Sequence, residues 1–235
     1  MLTINENIYN EKEIQYFSNL INFIENFEKN NMEYSELQNQ FVDVFLMALG
    51  ARDAYTKEHS NRLSFLAREI GRELKLSPVE IKKIVLAAKL HDIGKIGISD
   101  TILLKPSKLT NEEFDEIKKH PIIGRDMLKN ISIFSHISDY ILYHHEKFDG
   151  SGYPEKIRGD DIPFGARIIS IVDAIDAILT KRSYKEPKPV EFAVEELKKN
   201  SGTQFDPMIV KFAIKVIEEN KDVFKTEQER FAVSL

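Results

Sequence analysis

Apolar residues recur at three-to-four spacing along nearly the whole chain. Ile14, Phe17, Ile21 and Ile24 form one such stripe, and Leu37, Phe41, Phe45 and Leu49 form another; each predicts an amphipathic helix. Two further stretches, Ile84 to Leu90 and Ile168 to Leu179, are so uniformly apolar that they read as buried helices. Helix starts are marked at Ser77-Pro78-Val79-Glu80 and Thr110-Asn111-Glu112-Glu113, both written as capping boxes, the first with proline at the first helical position. Asp206-Pro207 opens a helix carrying Ile209, Phe212, Ala213 and Ile217. No segment alternates with period two for long enough to require a strand. The expected fold is therefore all-α. One stretch interrupts the pattern: residues 146–165 hold four of the ten glycines and two of the eight prolines, which predicts a long loop, and long ordered loops in compact domains tend to be functional.

The motif-free residues 1–45 read as an N-terminal helical extension that packs on the core or mediates a homodimer. Residues 46–220 read as one catalytic domain and 221–235 as a polar tail. Hydrophobic residues make up 42% and charged residues 30% of the chain, a globular balance that excludes wholesale disorder. The absence of cysteine excludes disulfides, thiolate zinc sites and a cysteine nucleophile. A net charge of -5 with no basic stripe argues against binding duplex nucleic acid. The longest apolar run, Val44 to Ala51, is far shorter than a bilayer span, and the N-terminal residues lack a basic-then-apolar signal pattern. A soluble, cytoplasmic protein without a membrane span is expected.

The chemistry is concentrated in the histidines. His91-Asp92 closes an apolar helix, where burying an ionisable Asp beside a His is costly without a cation or partner. The alternative is a helix end with a capping His, a solvated Asp, a C-cap Gly94 and a dipole-favoured Lys95. His144-His145-Glu146 stands just before the glycine-rich loop. Adjacent histidines on a helix diverge by about 100°, so both reach one site only if it is broad or multinuclear. Asp173 and Asp176 lie three residues apart, on one face of an apolar helix, a placement a buried cation would explain.

Taken in order, His59, His91-Asp92-Ile93-Gly94-Lys95, His120-Pro121, His144-His145-Glu146-Lys147-Phe148-Asp149-Gly150-Ser151-Gly152-Tyr153-Pro154, Asp173-Ala174-Ile175-Asp176-Ala177, Arg182-Ser183-Tyr184-Lys185 and Gly202-Thr203-Gln204-Phe205-Asp206-Pro207 closely resemble the HD-GYP phosphodiesterases of the HD superfamily. The resemblance spans residues 42–220. It implies an HD-type helical bundle with additional C-terminal helices and the long Gly-rich loop. It also implies hydrolysis of cyclic di-GMP, or cyclic GMP-AMP, to linear pGpG and onward to GMP, by way of a metal-bridging hydroxide.

The resemblance further implies metal ligands at His59, His91, Asp92, His120, His144, His145 and Asp173. In that scheme Asp92 bridges one ion held by His59, His91 and Asp173 to a second held by His120, His144 and His145. The nitrogen and oxygen donors make iron or manganese the first candidates, with zinc, nickel or cobalt also compatible. Asp92 and Lys95 are implied as catalytic residues, Lys95 adding charge beside the phosphoryl group. Asp176, Arg182 and Lys185 are implied at the substrate. Gly152-Tyr153-Pro154 is either a turn that positions the double histidine or a surface for diguanylate-cyclase domains. His136 alone among the histidines falls outside the pattern and is expected to be structural or superficial.

One departure stands out. Some relatives carry a Glu four residues before the first histidine and bind a third metal; here that residue is Tyr55, so a dinuclear site is expected. The adjacent Glu58 points to another helix face. Two other readings compete with the hydrolase: a nucleotide phosphohydrolase of another HD class, and a receptor that holds a cyclic dinucleotide without cleaving it.

Overall fold

The structure is a computed structural model describing residues 34–52, 56–180 and 187–221. Among these residues the chain is all-α, with a single isolated bridge between Ser201 and Phe205 and no strand. Helix α1 (Tyr34–Arg52) is followed by α2 (Thr56–Glu73), α3 (Pro78–Leu90) and a 3-10 turn at Ile93–Gly97. Then come the short α4 (Asp100–Leu103), α5 (Asn111–Ile117), α6 (His120–Leu128) and α7 (Ser138–Tyr143). After the loop, which carries a 3-10 turn at Gly159–Asp161, come α8 (Phe164–Leu179), α9 (Val190–Lys199) and α10 (Pro207–Glu219).

The apolar pattern dictates the packing. Helix α8 buries Ile168, Ile169, Ile171, Val172, Ile175, Ile178 and Leu179, leaving only a narrow half-buried stripe through Arg167, Ser170 and Asp173, so most of its circumference must face other elements. It is therefore the central column, packed against α2, α3, α7, α9 and α10. Leu63, Leu66, Ala67 and Ile70 of α2, and Ile84, Ala87 and Leu90 of α3, complete the core around it.

The predicted helix starts differ in how they are capped. Thr110 and Glu113 form the reciprocal capping box. At α3 only half of the box forms: Ser77 Oγ accepts from the Glu80 amide at 3.2 Å, whereas the Glu80 carboxylate accepts from the Tyr140 hydroxyl instead. Asp206 caps α10 by accepting from the Met208 amide at 2.8 Å.

The boundary expected at residue 45 falls inside α1. This helix is continuous, and its Val42 and Leu46 join the core while Gln38 Nε2 donates to the Ile133 carbonyl at 2.8 Å. Its buried apolar residues are Val42, Val44, Leu46 and Leu49; Phe41 and Phe45 are half-buried and pack on the Phe134 ring. The stripe at Ile14 to Ile24, Tyr55, the segment 181–186 with Arg182 and Lys185, and the polar tail from 222 lie outside the described residues. No helix among the described residues is long and apolar enough to cross a membrane.

Leu66 of α2 is fully buried in the core. Leu66→Ala is expected to cost about 2–5 kcal/mol through lost burial and the cavity left behind. In denaturant unfolding the midpoint should fall while the slope stays unchanged.

Candidate metal centre

The last carbonyls of a helix have no partner within it, and three histidines use them. His91 Nδ1 donates to the Ala88 carbonyl at the end of α3 at 2.9 Å. His120 Nδ1 donates to Ile117 at the end of α5 at 2.8 Å, and His144 Nδ1 to Ile141 in the last turn of α7 at 2.7 Å. A carbonyl only accepts, so each ring carries its proton on Nδ1 and leaves the Nε2 lone pair available. His59 lies within the first turns of α2. Its Nδ1 is 2.7 Å from Asp176 Oδ2 on α8. The divergence expected of adjacent helical histidines does not arise, because α7 stops at Tyr143 and His144 and His145 follow in a turn with ring centroids 4.0 Å apart.

Ligand atoms of His59, His91 and Asp173 lie within 4.8 Å of one another, as do those of His120, His144 and His145, and those of His91, Asp92 and His144. The structure thus brings together all seven side chains expected as ligands. Asp92 stands between the two histidine sets, with Oδ2 3.3 Å from His91 Nε2 and Oδ1 3.3 Å from His120 Nε2. His59, His91, His120 and His144 are buried; Asp92, His145, Asp173 and Lys95 are half-buried. Lys95 Nζ donates to Asp92 Oδ2 at 2.7 Å.

Electrostatics favour a cation at this place. Burial pushes His120 down to about 4 and His145 down to about 3, and it also drives His144 well below the usual imidazole range, with neighbouring imidazoles adding to the effect. These rings are neutral at neutral pH and need lose no proton to ligate. Burial opposes the charge on Asp92, but His91 and Lys95 beside it hold its carboxyl well below the usual range. Burial likewise opposes protonation of His91, yet the facing Asp92 carboxylate raises it. Five imidazoles and two carboxylates converging in one place, three of the rings held neutral by burial, fit first-row ions better than any apolar ligand.

Close backbone approaches set the geometry. Gly94 stands where a Cβ would lie 1.9 Å from the His120 carbonyl oxygen and 2.5 Å from the Gly124 nitrogen. This glycine lets the turn after Asp92 press against α6; it is not a left-handed C-cap. The glycine-rich loop folds back in the same way. A Cβ on Gly152 would lie 2.4 Å from the Lys147 nitrogen, and the Tyr153 amide donates to the His145 carbonyl at 3.2 Å. The Tyr153 ring stacks on His145, with centroids 4.8 Å apart and planes 27° apart. Glu146 Oε1 anchors the loop by accepting from the Glu155 and Lys156 amides at 2.7 and 2.8 Å.

Asp176 departs from expectation. Its carboxylate is buried behind His59, bonded to that ring and to Arg62, so it does not form the substrate wall. Burial opposes its charge, but the His59 and Arg62 hydrogen bonds bring its pKa below the ordinary carboxylate value. His136 and Glu58 are exposed, as expected. No role for Arg62 or Glu146 follows from the sequence, and none for the Tyr153 ring beyond that of its loop. For Arg62 the available signal was its spacing, three residues after His59 and so on the same helix face.

A profile described as HD domain matches residues 43–209. A Thermotoga maritima protein named cyclic di-GMP phosphodiesterase is 39% identical over 199 residues, covering 84% of this chain and 54% of that protein. The Xanthomonas campestris cyclic di-GMP phosphodiesterase response regulator RpfG is 39% identical over 180 residues, covering 76% of this chain and 48% of its own. The chain therefore spans about half the length of these relatives. Among solved structures, a Vibrio cholerae cyclic GMP-AMP-specific phosphodiesterase superposes with a TM-score of 0.59 at 21% identity, covering 75% of this chain and 48% of the other.

Gly94→Ala tests the close approach. The added methyl has no space beside the His120 carbonyl, so the turn must retreat from α6 and Asp92 from His120. The expected cost is about 1–3 kcal/mol in denaturant unfolding. Elemental analysis after gel filtration should also show reduced metal content. Full stability with full metal content would show that the contact is dispensable.

Proposed function

The chain belongs to the HD-domain family, and from that premise we propose that it is a metal-dependent phosphodiesterase hydrolysing cyclic dinucleotides, cyclic di-GMP first among them. The observation that carries this reading is the convergence of seven nitrogen- and oxygen-bearing side chains, with an ammonium group at their more exposed side. Its support in the relatives is their naming as cyclic di-GMP phosphodiesterases at 39% identity.

In this reading His59, His91, Asp92 and Asp173 hold one ion, and Asp92, His120, His144 and His145 hold the other. The two oxygens of Asp92 face opposite histidine sets, which suits a shared ligand. Bound there, two such ions would supply charge to the phosphoryl oxygens and a nucleophile at neutral pH. Iron(II) or manganese(II) suits the donor set, and Tyr55, standing where a third-ion Glu would be, favours two ions over three.

The chain's own residues do the rest. Lys95 is held by its ion pair with Asp92; in this reading it would add positive charge beside the transferring phosphoryl group and protonate the leaving 3′-oxygen, directly or through water. Half-buried His145 and Tyr153 make one wall. Arg182 and Lys185 supply cations for substrate phosphates or guanine edges. Burial of Gly152 and stacking of Tyr153 on His145 favour a positioning role for the Gly-Tyr-Pro loop over a docking role.

One assay separates this reading from a receptor and from a simpler nucleotide hydrolase. The protein, purified without oxygen and supplied with iron(II) or manganese(II), is given cyclic di-GMP, cyclic GMP-AMP or mononucleotides, and products are resolved by chromatography. Linear dinucleotide or GMP is expected. Asp92→Ala should lose metal and activity together. Lys95→Ala should retain the metal and turn over about 10²-fold or more slowly. A metal-loaded protein that binds the cyclic dinucleotides and returns them intact would identify a receptor.

A further inference from the structure

Three of the histidines in the centre direct Nδ1 to a backbone carbonyl freed by a helix end, whereas His59 directs it to a carboxylate 117 residues away. The difference follows from position. His59 lies near the start of the long helix α2, and the carbonyl three residues before it, that of Thr56, opens the helix instead of ending one. Its orienting acceptor has to come from another element. Asp176 provides it from the central column, and Arg62, one turn after His59, grips the same carboxylate: Nε donates to Oδ1, and Nη2 lies 3.3 Å from Oδ2. Thr180 Oγ1 caps the arrangement, donating to the Asp176 carbonyl at 2.7 Å.

We propose that Asp176 and Arg62 are a positioning pair for His59: the pinned carboxylate holds the imidazole proton on Nδ1 and so keeps Nε2 unprotonated toward Asp173 and the ion they share. This deepens the two-ion reading and rests on it. His59 Nε2 is 3.8 Å from Asp173 Oδ1, so the ring spans the two aspartates of one helix face, with one on each nitrogen. A carboxylate behind a ligating imidazole fixes its orientation and raises its basicity. Asp176 thus acts through His59 and does not touch substrate.

The arrangement makes Asp176→Asn a sharp test. The guanidinium donates to Oδ1, so it selects the amide oxygen there and turns the amide NH2 toward His59 Nδ1. The NH2 group donates, Nδ1 must accept, and the ring proton moves to Nε2, the atom that should ligate. Long-range proton–nitrogen spectra of metal-free, 15N-histidine-labelled protein read this directly, the His59 signals being assigned by their loss in His59→Gln. Wild type should show His59 with its proton on Nδ1, and Asp176→Asn should show it on Nε2.

Manganese(II) retention against graded chelator should then fall about 10- to 100-fold in Asp176→Asn for one of the two ions and stay unchanged for the other. Should Asp176→Asn not fold, Arg62→Lys is read the same way. It keeps the charge but loses the fork, and the same ion should be held several-fold more weakly. An unchanged His59 tautomer in Asp176→Asn, or wild-type retention of both ions in either folded variant, overturns the proposal. Wild-type protein that takes up no manganese overturns the two-ion reading instead, and the spectra distinguish that case because they involve no metal.

Discussion

A helix that ends leaves carbonyl oxygens facing outward with nothing to accept from. In this fold the ends of α3, α5 and α7 all point at one place, and an imidazole completes each of them. That single interaction satisfies buried backbone, selects the tautomer and aims the second nitrogen inward. Without it the rings of His91, His120 and His144 would be buried polar groups of arbitrary orientation. With it they form a chain of imidazoles, His59 to His91 at 5.3 Å and His91 to His144 at 5.1 Å between ring centroids, with Asp92 set among them.

The helical fold was legible because its signals are local. The three-to-four spacing, Thr110 with Glu113, Asp206 with Pro207 and the glycines of 146–165 each act within a few residues. What was not legible is what distant segments do to one another. Glu80 has the sequence of a capping-box partner, yet Tyr140, sixty residues on, takes its carboxylate. Residue 45 looked like a boundary because chemical motifs begin after it, but motifs do not mark where a helix stops contributing to a core, and Val42 lies in that core.

The same limit divides the candidate site. The histidines and Asp92 stood out because their polarity conflicts with apolar surroundings, a mismatch visible within one helix. Asp173 and Asp176 share that mismatch equally, and only the packing of α2 on α8 separates them, one toward His59 Nε2 and the other toward Nδ1. Gly94 read as a helix stop by its position, while its function is the absence of a side chain against the backbone of α6. Glu146 sits beside two histidines in the sequence, yet its carboxylate faces the amides of its own loop, a contact no local pattern announces.

The side chains that meet in the centre are drawn from α2, the end of α3, the start of α6, the turn after α7, and α8. Only the set of His120, His144 and His145 comes from consecutive helices, α6 and α7 with the turn that follows; the others join distant segments. During synthesis, a chain that has emerged only as far as the loop already carries every histidine but lacks Asp173 and the carboxylate behind His59. Docking of α8, the central column, supplies the missing carboxylates, while the core still awaits α9 and α10. The helix that fills the middle of the core is thus the same one that carries the last carboxylate of the centre, so a lesion that loosens that column disturbs core and centre together.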